Sequence, residues 1–471
     1  MDSLTSLVQS LNNFIWGPYF LIPLLCGTGL YFTLKLRFVQ IRKFGACLRQ
    51  VFGGFSLSGA KAGKSGMSSF QALATAVAAQ VGTGNMVGVA TALAMGGPGA
   101  IFWMWVAAFC GMATIFAEAV LALTFKTKDE TGQVVGGPAY YISRGLGSKA
   151  LAGFFAVALI IALGFVGNMV QANSIADAFS TAFKIPSVVV GATVALLAGL
   201  VFFGGISRLA SVTEKVVPIM AVLYLLGGFY ILAAHAAAFF DCLILVFKSA
   251  FSAEAAAGGV VGASVKEAMR YGIARGLFSN EAGMGSTPHA HAVSQVQHPA
   301  QQGFAAIVGV FITVLICSIS AFVVLSTGVL DGQTTGVALT QRAFAEGFGP
   351  MGNAYVAIVL MFFSFSTIIG WYFFGEQNVR YLFGCRALMP YRFIVMGFLV
   401  LGSTLKVTLV WELADLFNGL MVLPNLVALI GLSKLVSASL KDYEEIIDQN
   451  EAVDEMNPAE TAVDLSKAEP D

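Results

Sequence analysis

Charged side chains are scarce in this chain, at 11% of its 471 residues, while hydrophobic residues make up 57%. A soluble domain carries roughly 25% charged residues, so too few are present to clothe a water-facing surface. The sequence reads as an integral membrane protein. Strands of a transmembrane barrel would alternate polar and apolar residues, whereas runs such as 156-163 (AVALIIAL) and 216-234 are apolar throughout. That excludes a barrel and leaves helices. At roughly 20 apolar residues per crossing, the chain has room for about ten to twelve.

Several chemical signatures are also missing. The six cysteines, Cys26, Cys47, Cys110, Cys242, Cys317 and Cys385, show no CxxC or His-Cys spacing and mostly sit inside apolar runs. They read as small packing residues, not disulfides or metal ligands. The chain has no Walker loop, GxSxG or HExxH motif, so nothing suggests ATP coupling or hydrolysis, and an enzyme is not expected. His289 and His291 have no adjacent acid or cysteine and no evident third metal ligand. No basic residue precedes Lys35, so the N-terminal apolar run lacks the positive start of a signal peptide and is expected to stay. A nucleic-acid partner is not indicated.

The formal net charge is zero, but it is unevenly spread. Residues 442-471 hold eleven acids and one base, Lys467, giving −10 against +10 for residues 1-441. With almost no bulky apolar content, that tail is expected to be disordered.

Hydropathy predicts eleven spans: 14-34, 68-95, 100-124, 150-173, 186-204, 212-236, 259-284, 303-328, 353-376, 390-405 and 408-436, with an amphipathic stretch at 238-257. Nineteen Lys and Arg fall in the loops after the first, third, fifth and ninth spans and in the tail; about four fall in the opposite loops. By the positive-inside rule, the N-terminus is expected outside and the C-terminus in the cytoplasm.

Two spans are interrupted by glycines beside hydrogen-bonding residues: the second at Gly82-Thr83-Gly84-Asn85, the seventh at Ser279-Asn280-Glu281 through Gly285-Ser286. Irregular backbone at membrane depth is tolerated where it lines a protein cavity, and paired interrupted spans point to a transporter site. Each opens a block of five helices. Since five is odd, the second block must be inverted relative to the first. This divides the chain into an N-terminal helix with a basic loop (1-67), a first repeat (68-236), an amphipathic segment with a second, inverted repeat (237-441), and the acidic tail (442-471). The alternative is that the glycines only permit close helix packing.

An unwound segment frees backbone groups for ligands. Thr83, Gly84 and Asn85 are candidates to hold a carboxylate through their amides, and the carbonyls of Ala78 and Val81 to face a cation. Ser366 and Thr367 are adjacent hydroxyls in the apolar ninth span; they suit a hard cation such as sodium or bond back to a carbonyl one turn earlier. Gln171 is a polar site candidate on the fourth span. Gly164 and Asn168 lie on its face of the helix, Asn168 reading rather as interhelical glue. Phe278 and Trp371 could wall a small pocket or simply pack. Glu281, ionisable and inside the seventh span, is a functional candidate by default. Glu118, Glu214 and Glu376 are assigned to snorkelling or pairing with loop arginines.

Gly82-Thr83-Gly84-Asn85 leading to Gly96-Gly97-Pro98-Gly99-Ala100, Trp103-Met104-Trp105, Gly136-Gly137-Pro138-Ala139-Tyr140-Tyr141, the run from Arg275 to Gly283, Asp415-Leu416-Phe417-Asn418-Gly419 and Pro424-Asn425 resemble the alanine or glycine:cation symporter family, over about residues 15-440. The resemblance implies a leucine-transporter-type fold with one extra N-terminal helix and sodium-driven uptake of alanine or glycine, with glutamine for some members. It places the substrate backbone at Thr83, Gly84, Phe278 and Ser279, with contact from Gln171 and a side-chain pocket lined by Thr367 and Trp371. Sodium would lie among the carbonyls of Ala78, Val81 and Phe363 and the hydroxyls of Ser366 and Thr367. Many members have Thr-Thr where this chain has Ser366-Thr367, and both hydroxyls survive. Met284 and the Ser286-Thr287-Pro288-His289 run depart from the family's more familiar residues, which leaves room for a changed substrate range. A proton-coupled carrier using Glu281 and a passive pore are the rival expectations.

Overall fold

The computed structural model describes residues 2–17, 19–52, 66–251, 264–405 and 407–456. Its helices, in chain order, begin with α1 (Asp2–Ile15), α2 (Leu21–Lys35), α3 (Val39–Arg42) and α4 (Phe44–Phe52). A broken helix follows: α5 (Ser69–Gln80), a π-helical turn (Gly84–Gly88) and α6 (Val89–Gly96). Next come α7 (Gly99–Thr124), α8 (Pro138–Gly145), α9 (Lys149–Leu159), a π-helical stretch (Ile160–Gly167) and α10 (Asn168–Phe183). Then follow α11 (Ser187–Phe202), α12 (Gly205–Ala234), α13 (Ala236–Phe251), α14 (Val265–Asn280) and the short α15 (Pro288–Ala292). The chain continues through α16 (Pro299–Ser326), α17 (Gly336–Phe348), α18 (Gly352–Phe383), α19 (Leu388–Thr404), α20 (Val407–Gly431) and α21 (Ser433–Met456). Two short strand pairs tie loops together: β1 (Met67–Ser68) with β4 (Ser294–Gln295), parallel, and β2 (Thr127–Lys128) with β3 (Val134–Val135), antiparallel.

The architecture is all-α and multi-pass. Among the described residues, seven helices are long and apolar enough to cross a membrane, or eight if the bent α5–α6 pair counts as one span; α2 and α11 are shorter apolar helices. The packed centre runs through α7, which lies against α14, α16 and α2, and through α10 against α18 and α19. Around it, α11, α12 and α19 expose Leu196, Leu200, Leu226 and Phe393. Such a belt would be an aggregation hazard in water but suits a hydrocarbon solvent.

Three expectations need revision. The first span does not run from 14: α1 is a separate helix ending at Ile15, and α2 starts at Leu21, with Gly17 and Pro18 between them. α1 docks on α20, where Asn12 Nδ2 donates to the Glu412 carbonyl (2.8 Å) and Trp16 Nε1 to the Asp415 carbonyl (3.0 Å). The seventh span, expected to run to 284, is helical only to Asn280, and a short separate helix, α15, follows the break.

The tail expected to be disordered is helical through Met456, and residues 457-471 lie outside the described residues. The first half of α21 is amphipathic. Val436 and Leu440 are buried, and Tyr443 stacks on His298 at 4.9 Å. Glu444 pairs with Arg42 at 2.5 Å, and Asp442 with His298 at 3.2 Å. Apolar residues at helical spacing outweighed the acidic composition.

Capping residues start both helices that lead into the breaks. Ser68 forms a capping box with Gln71 at α5, and Ser264 with Glu267 at α14, which satisfies free amides at each N-terminus. Glycines then bring α14 onto α7: a methyl at Gly272 would lie 3.0 Å from the Trp103 Cβ and closer still to the Ala100 carbonyl, while Gly276 faces Met104. Overpacking of this kind costs about 1–3 kcal/mol. Gly272→Val is therefore expected to lower the thermal midpoint of the detergent-solubilised protein by several degrees, measured by melting curves against the unchanged chain.

Candidate functional site

The first break follows Gln80. Val81 leaves the helix, at φ −101° and ψ 88°, so the carbonyls that end α5 have no amide one turn ahead. They turn towards α18. The Thr367 hydroxyl lies 2.9 Å from the Ala78 oxygen, 3.3 Å from those of Ala79 and Val81, and 3.1 Å from that of Phe363. Ser366 Oγ is 2.8 Å from the Phe363 oxygen and 3.3 Å from that of Ala78. All five residues expected to hold sodium thus come together. The back-bonding alternative is also realised, since both hydroxyls reach the Phe363 carbonyl of their own helix.

Two hydroxyls can donate only two hydrogens, yet four carbonyl oxygens surround them. Such an excess of buried acceptors fits a cation and no anion. The closeness depends on Gly82, where a methyl would sit 3.1 Å from both the Thr367 Cβ and the Gln171 Oε1.

Past Gly82 the exposed groups become donors. Asn85 Oδ1 accepts from the Gly82 amide at 2.9 Å, and Gln171 Oε1 accepts from the Thr83 amide at 3.2 Å. Thr83 Oγ1 and Gln171 Nε2 are buried with no hydrogen-bond partner among the described residues. Orphaned polar atoms are costly to bury, and this pair marks a place where a polar ligand would be welcome. Gly84 backs directly onto the second broken helix, and a methyl there would lie 3.1 Å from Phe278 Cδ1 and Ser279 Cα. Phe278 meets Trp371 edge-to-face at 5.7 Å and Trp411 at 5.2 Å. Thr83, Gly84, Gln171, Phe278, Ser279, Thr367 and Trp371 are all buried. The arrangement is closed on every side. Asn168, by contrast, bonds to the Gly164 carbonyl of its own helix at 3.1 Å.

The second break is organised by carboxylates. Glu281 adopts the left-handed region at φ +57° and ends α14. Its side chain accepts from Trp371 Nε1 at 2.6 Å and from Ser286 Oγ at 2.5 Å, so it holds the indole that walls the pocket. Glu118 corrects an expectation. It pairs with no arginine and is fully buried, accepting from the amides of Gly283 (3.0 Å) and Gly285 (2.9 Å) and from Asn425 Nδ2 (2.6 Å). His289 is fixed between the Ser286 carbonyl at 2.7 Å and Asn378 at 2.9 Å, and His291 between α15 and Gln302 at 3.0 Å. Among the described residues, no cluster of His, Cys, Asp and Glu could hold a metal.

Cys317 on α16 joins the two breaks. Its sulfur lies 3.1 Å from Ser279 Oγ and 3.5 Å from Asn85 Nδ2, and Ser320 one turn on donates to the Asn85 carbonyl at 2.5 Å. Sequence reasoning missed Cys317, because a lone cysteine in an apolar run carries no signal. It also missed Glu118 and Asn425, although an acid inside an apolar span is itself a signal.

Each donor stranded without an acceptor costs about 1–3 kcal/mol. Glu118→Leu would strand the amides of Gly283 and Gly285 and leave Asn425 Nδ2 only the Gly283 carbonyl, so loss of monodisperse protein on size exclusion is expected. Glu118→Gln, which keeps a carbonyl acceptor, should fold with a reduced thermal midpoint. Wild-type stability in Glu118→Leu would show that the carboxylate does not hold the break.

The sodium:alanine symporter family model matches residues 1–457. The chain is 41% identical to the sodium/alanine symporter AgcS of Methanococcus maripaludis over 458 residues, covering 95% of this chain and 98% of that one. It is 40% identical to a probable sodium/glutamine symporter, GlnT, of Bacillus subtilis over 443 residues, covering 93% and 91%. It is 38% identical to the amino-acid carrier protein AlsT of the same organism over 467 residues, covering 98% and 97%. On a match of this extent, the chain belongs to the sodium:alanine symporter family.

Proposed function

We propose that this protein is a secondary transporter that couples sodium entry to the import of a small neutral amino acid, alanine or glycine, by alternating access. The observation that carries the reading is the group of oxygens from Ala78, Ala79, Val81, Phe363, Ser366 and Thr367, drawn from two helices and richer in acceptors than its own hydroxyls can satisfy. Sodium, a cargo ion here, would be held by Ala78, Val81, Phe363, Ser366 and Thr367. The amino acid's carboxylate would meet the amides of Thr83 and Gly84. Its remaining polar atoms would meet Gln171, Phe278 and Ser279 at the second break. Thr367 and Trp371 would bound its side chain, and the indole, fixed by Glu281, favours a small one.

Arg275 precedes Phe278 on α14 and Arg380 follows Trp371 on α18, so in the expected orientation of the spans their ion pairs fall on opposite sides of this centre, which supports alternation. Near one end, Arg275 grips Asp415 through both nitrogens at 2.8 and 2.7 Å, with its guanidinium 5.0 Å from the Trp411 ring. Near the other, Arg380 bridges Asp129 at 2.6 Å and Glu376 at 2.7 Å. Opening either side requires parting one group. In this reading residues 68-236 and 237-441 are inverted five-helix repeats of a leucine-transporter-type fold, led by the two broken helices. The protein sits in the cell membrane with its N-terminus outside and its C-terminus in the cytoplasm. A glutamine substrate is the second reading, favoured by the 40% identity to the glutamine symporter.

Uptake of labelled alanine into proteoliposomes should saturate, require an inward sodium gradient, and yield to excess unlabelled glycine; competition by glutamine alone would select the second reading. Uptake that ignores sodium and follows a pH gradient would replace sodium coupling with proton coupling through Glu281. Thr367→Ala removes one oxygen from the cation group, so the half-saturating sodium concentration should rise about tenfold, equivalent to about 1.4 kcal/mol, while Thr367→Ser stays near the original value. Unchanged sodium activation in Thr367→Ala would take this residue out of the site.

A further inference from the structure

A cavity of about 490 Å³ opens at the basic end of the bundle, between the C-terminus of α2 and α21. Its walls carry five bases, Lys35, Arg37, Arg42, Lys434 and Lys441, against three acids, Glu444, Glu445 and Asp448. Two of the acids are engaged, Glu444 by Arg42 at 2.5 Å and Glu445 by Lys441 at 3.5 Å. Among the described residues, Arg37 and Lys434 enter no ion pair. Lys35 is held at the mouth, its Nζ 2.8 Å from Tyr31 OH and 2.7 Å from Ser433 Oγ. A pocket with surplus positive charge suits a phosphate.

The surroundings identify what carries that phosphate. Leu30 and Leu34 on α2 precede Tyr31 and Lys35 by one position and are 51% and 56% exposed, and Val427 and Ile430 near the end of α20 are 55% and 44% exposed. α2 and α20 pack against each other, so the charged cavity adjoins an apolar surface on two neighbouring helices. A soluble anion would use the cavity and leave that surface idle, whereas a phospholipid uses both, its headgroup among the bases and its acyl chains along the helices. We propose that this cavity binds the phosphate headgroup of an anionic phospholipid. The proposal goes beyond the transport reading and rests only on the multi-pass architecture. Bound there, the lipid bridges α2 to α21, and α21 in turn reaches α16 through the stacking of Tyr443 on His298.

The test uses the purified full chain in detergent, stripped of lipid, with native mass spectrometry to count adducts. Dioleoylphosphatidylglycerol should bind several-fold more tightly than dioleoylphosphatidylcholine. The Arg37→Gln/Lys434→Gln double variant should weaken the former about tenfold or more, as expected for two bases near a membrane surface. Asp448→Asn removes an acid from the same wall and should strengthen it, which keeps the test decisive if the double variant fails to fold. Equal affinity for the two lipids would overturn the proposal, and so would unchanged binding in both variants. Displacement of the lipid by millimolar inorganic phosphate would assign the cavity to a soluble anion and overturn the lipid as its occupant.

Discussion

A backbone amide or carbonyl removed from both water and helix must find a partner within the protein. This chain breaks two buried helices and must meet that demand twice. Most of the polar residues in its interior answer it. Asn85 and Gln171 take the amides of Gly82 and Thr83, and Thr367 and Ser366 sit among the carbonyls of α5. Glu118 and Asn425 take up the second break, with Asn425 donating also to the Gly283 carbonyl at 3.0 Å. Remove the breaks, and these side chains would have no reason to be in an apolar bundle.

The two breaks solve the problem with opposite chemistry. At the first, side-chain oxygens meet both kinds of backbone group in sequence, leaving acceptors in excess before Gly82 and donors directed inward after it. At the second, a buried carboxylate accepts the amides of Gly283 and Gly285. The first break keeps polar capacity free for ligands, and the second spends its capacity on shape, presenting Phe278 and Ser279 from a rigid turn. Gln80 couples them, since its Nε2 donates to the Asn280 carbonyl at 2.7 Å.

Much of this was legible because a glycine-polar run stands out against apolar sequence. Gly82-Thr83-Gly84-Asn85 and the Ser279–Ser286 run located both breaks; the adjacent hydroxyls of Ser366 and Thr367 stood out in their apolar span, but their place opposite the first break followed from the family resemblance. What was hidden depended on distant pairing. Glu118 read as snorkelling or pairing with a loop arginine because an acid near a helix end commonly does one or the other; its partners include amides 165 and 167 residues away in the chain. Cys317 could not be seen for the same reason. The α21 helix was lost to composition, since eleven acids outweighed the few apolar positions that dock it. The interruption between α1 and α2 was overlooked because hydropathy averages across a single turn.

The sulfur of Cys317 is an unusual choice for the point where both broken helices meet α16. A thiol is a feeble donor and a feeble acceptor, and its contacts here, at 3.1 and 3.5 Å, are softer than the hydroxyl and carboxylate bonds around them. A joint of that kind locates its parts without locking them. The first broken helix is tied to α18 and α10 and the second to α7 and α20, and both reach α16, the first firmly through Ser320 as well as softly through Cys317, the second softly through Cys317. The thiol thus leaves the meeting of Asn85 and Ser279 without a strong hydrogen bond of its own, beside the firmer Gln80–Asn280 and Ser320–Asn85 bonds that hold the same junction.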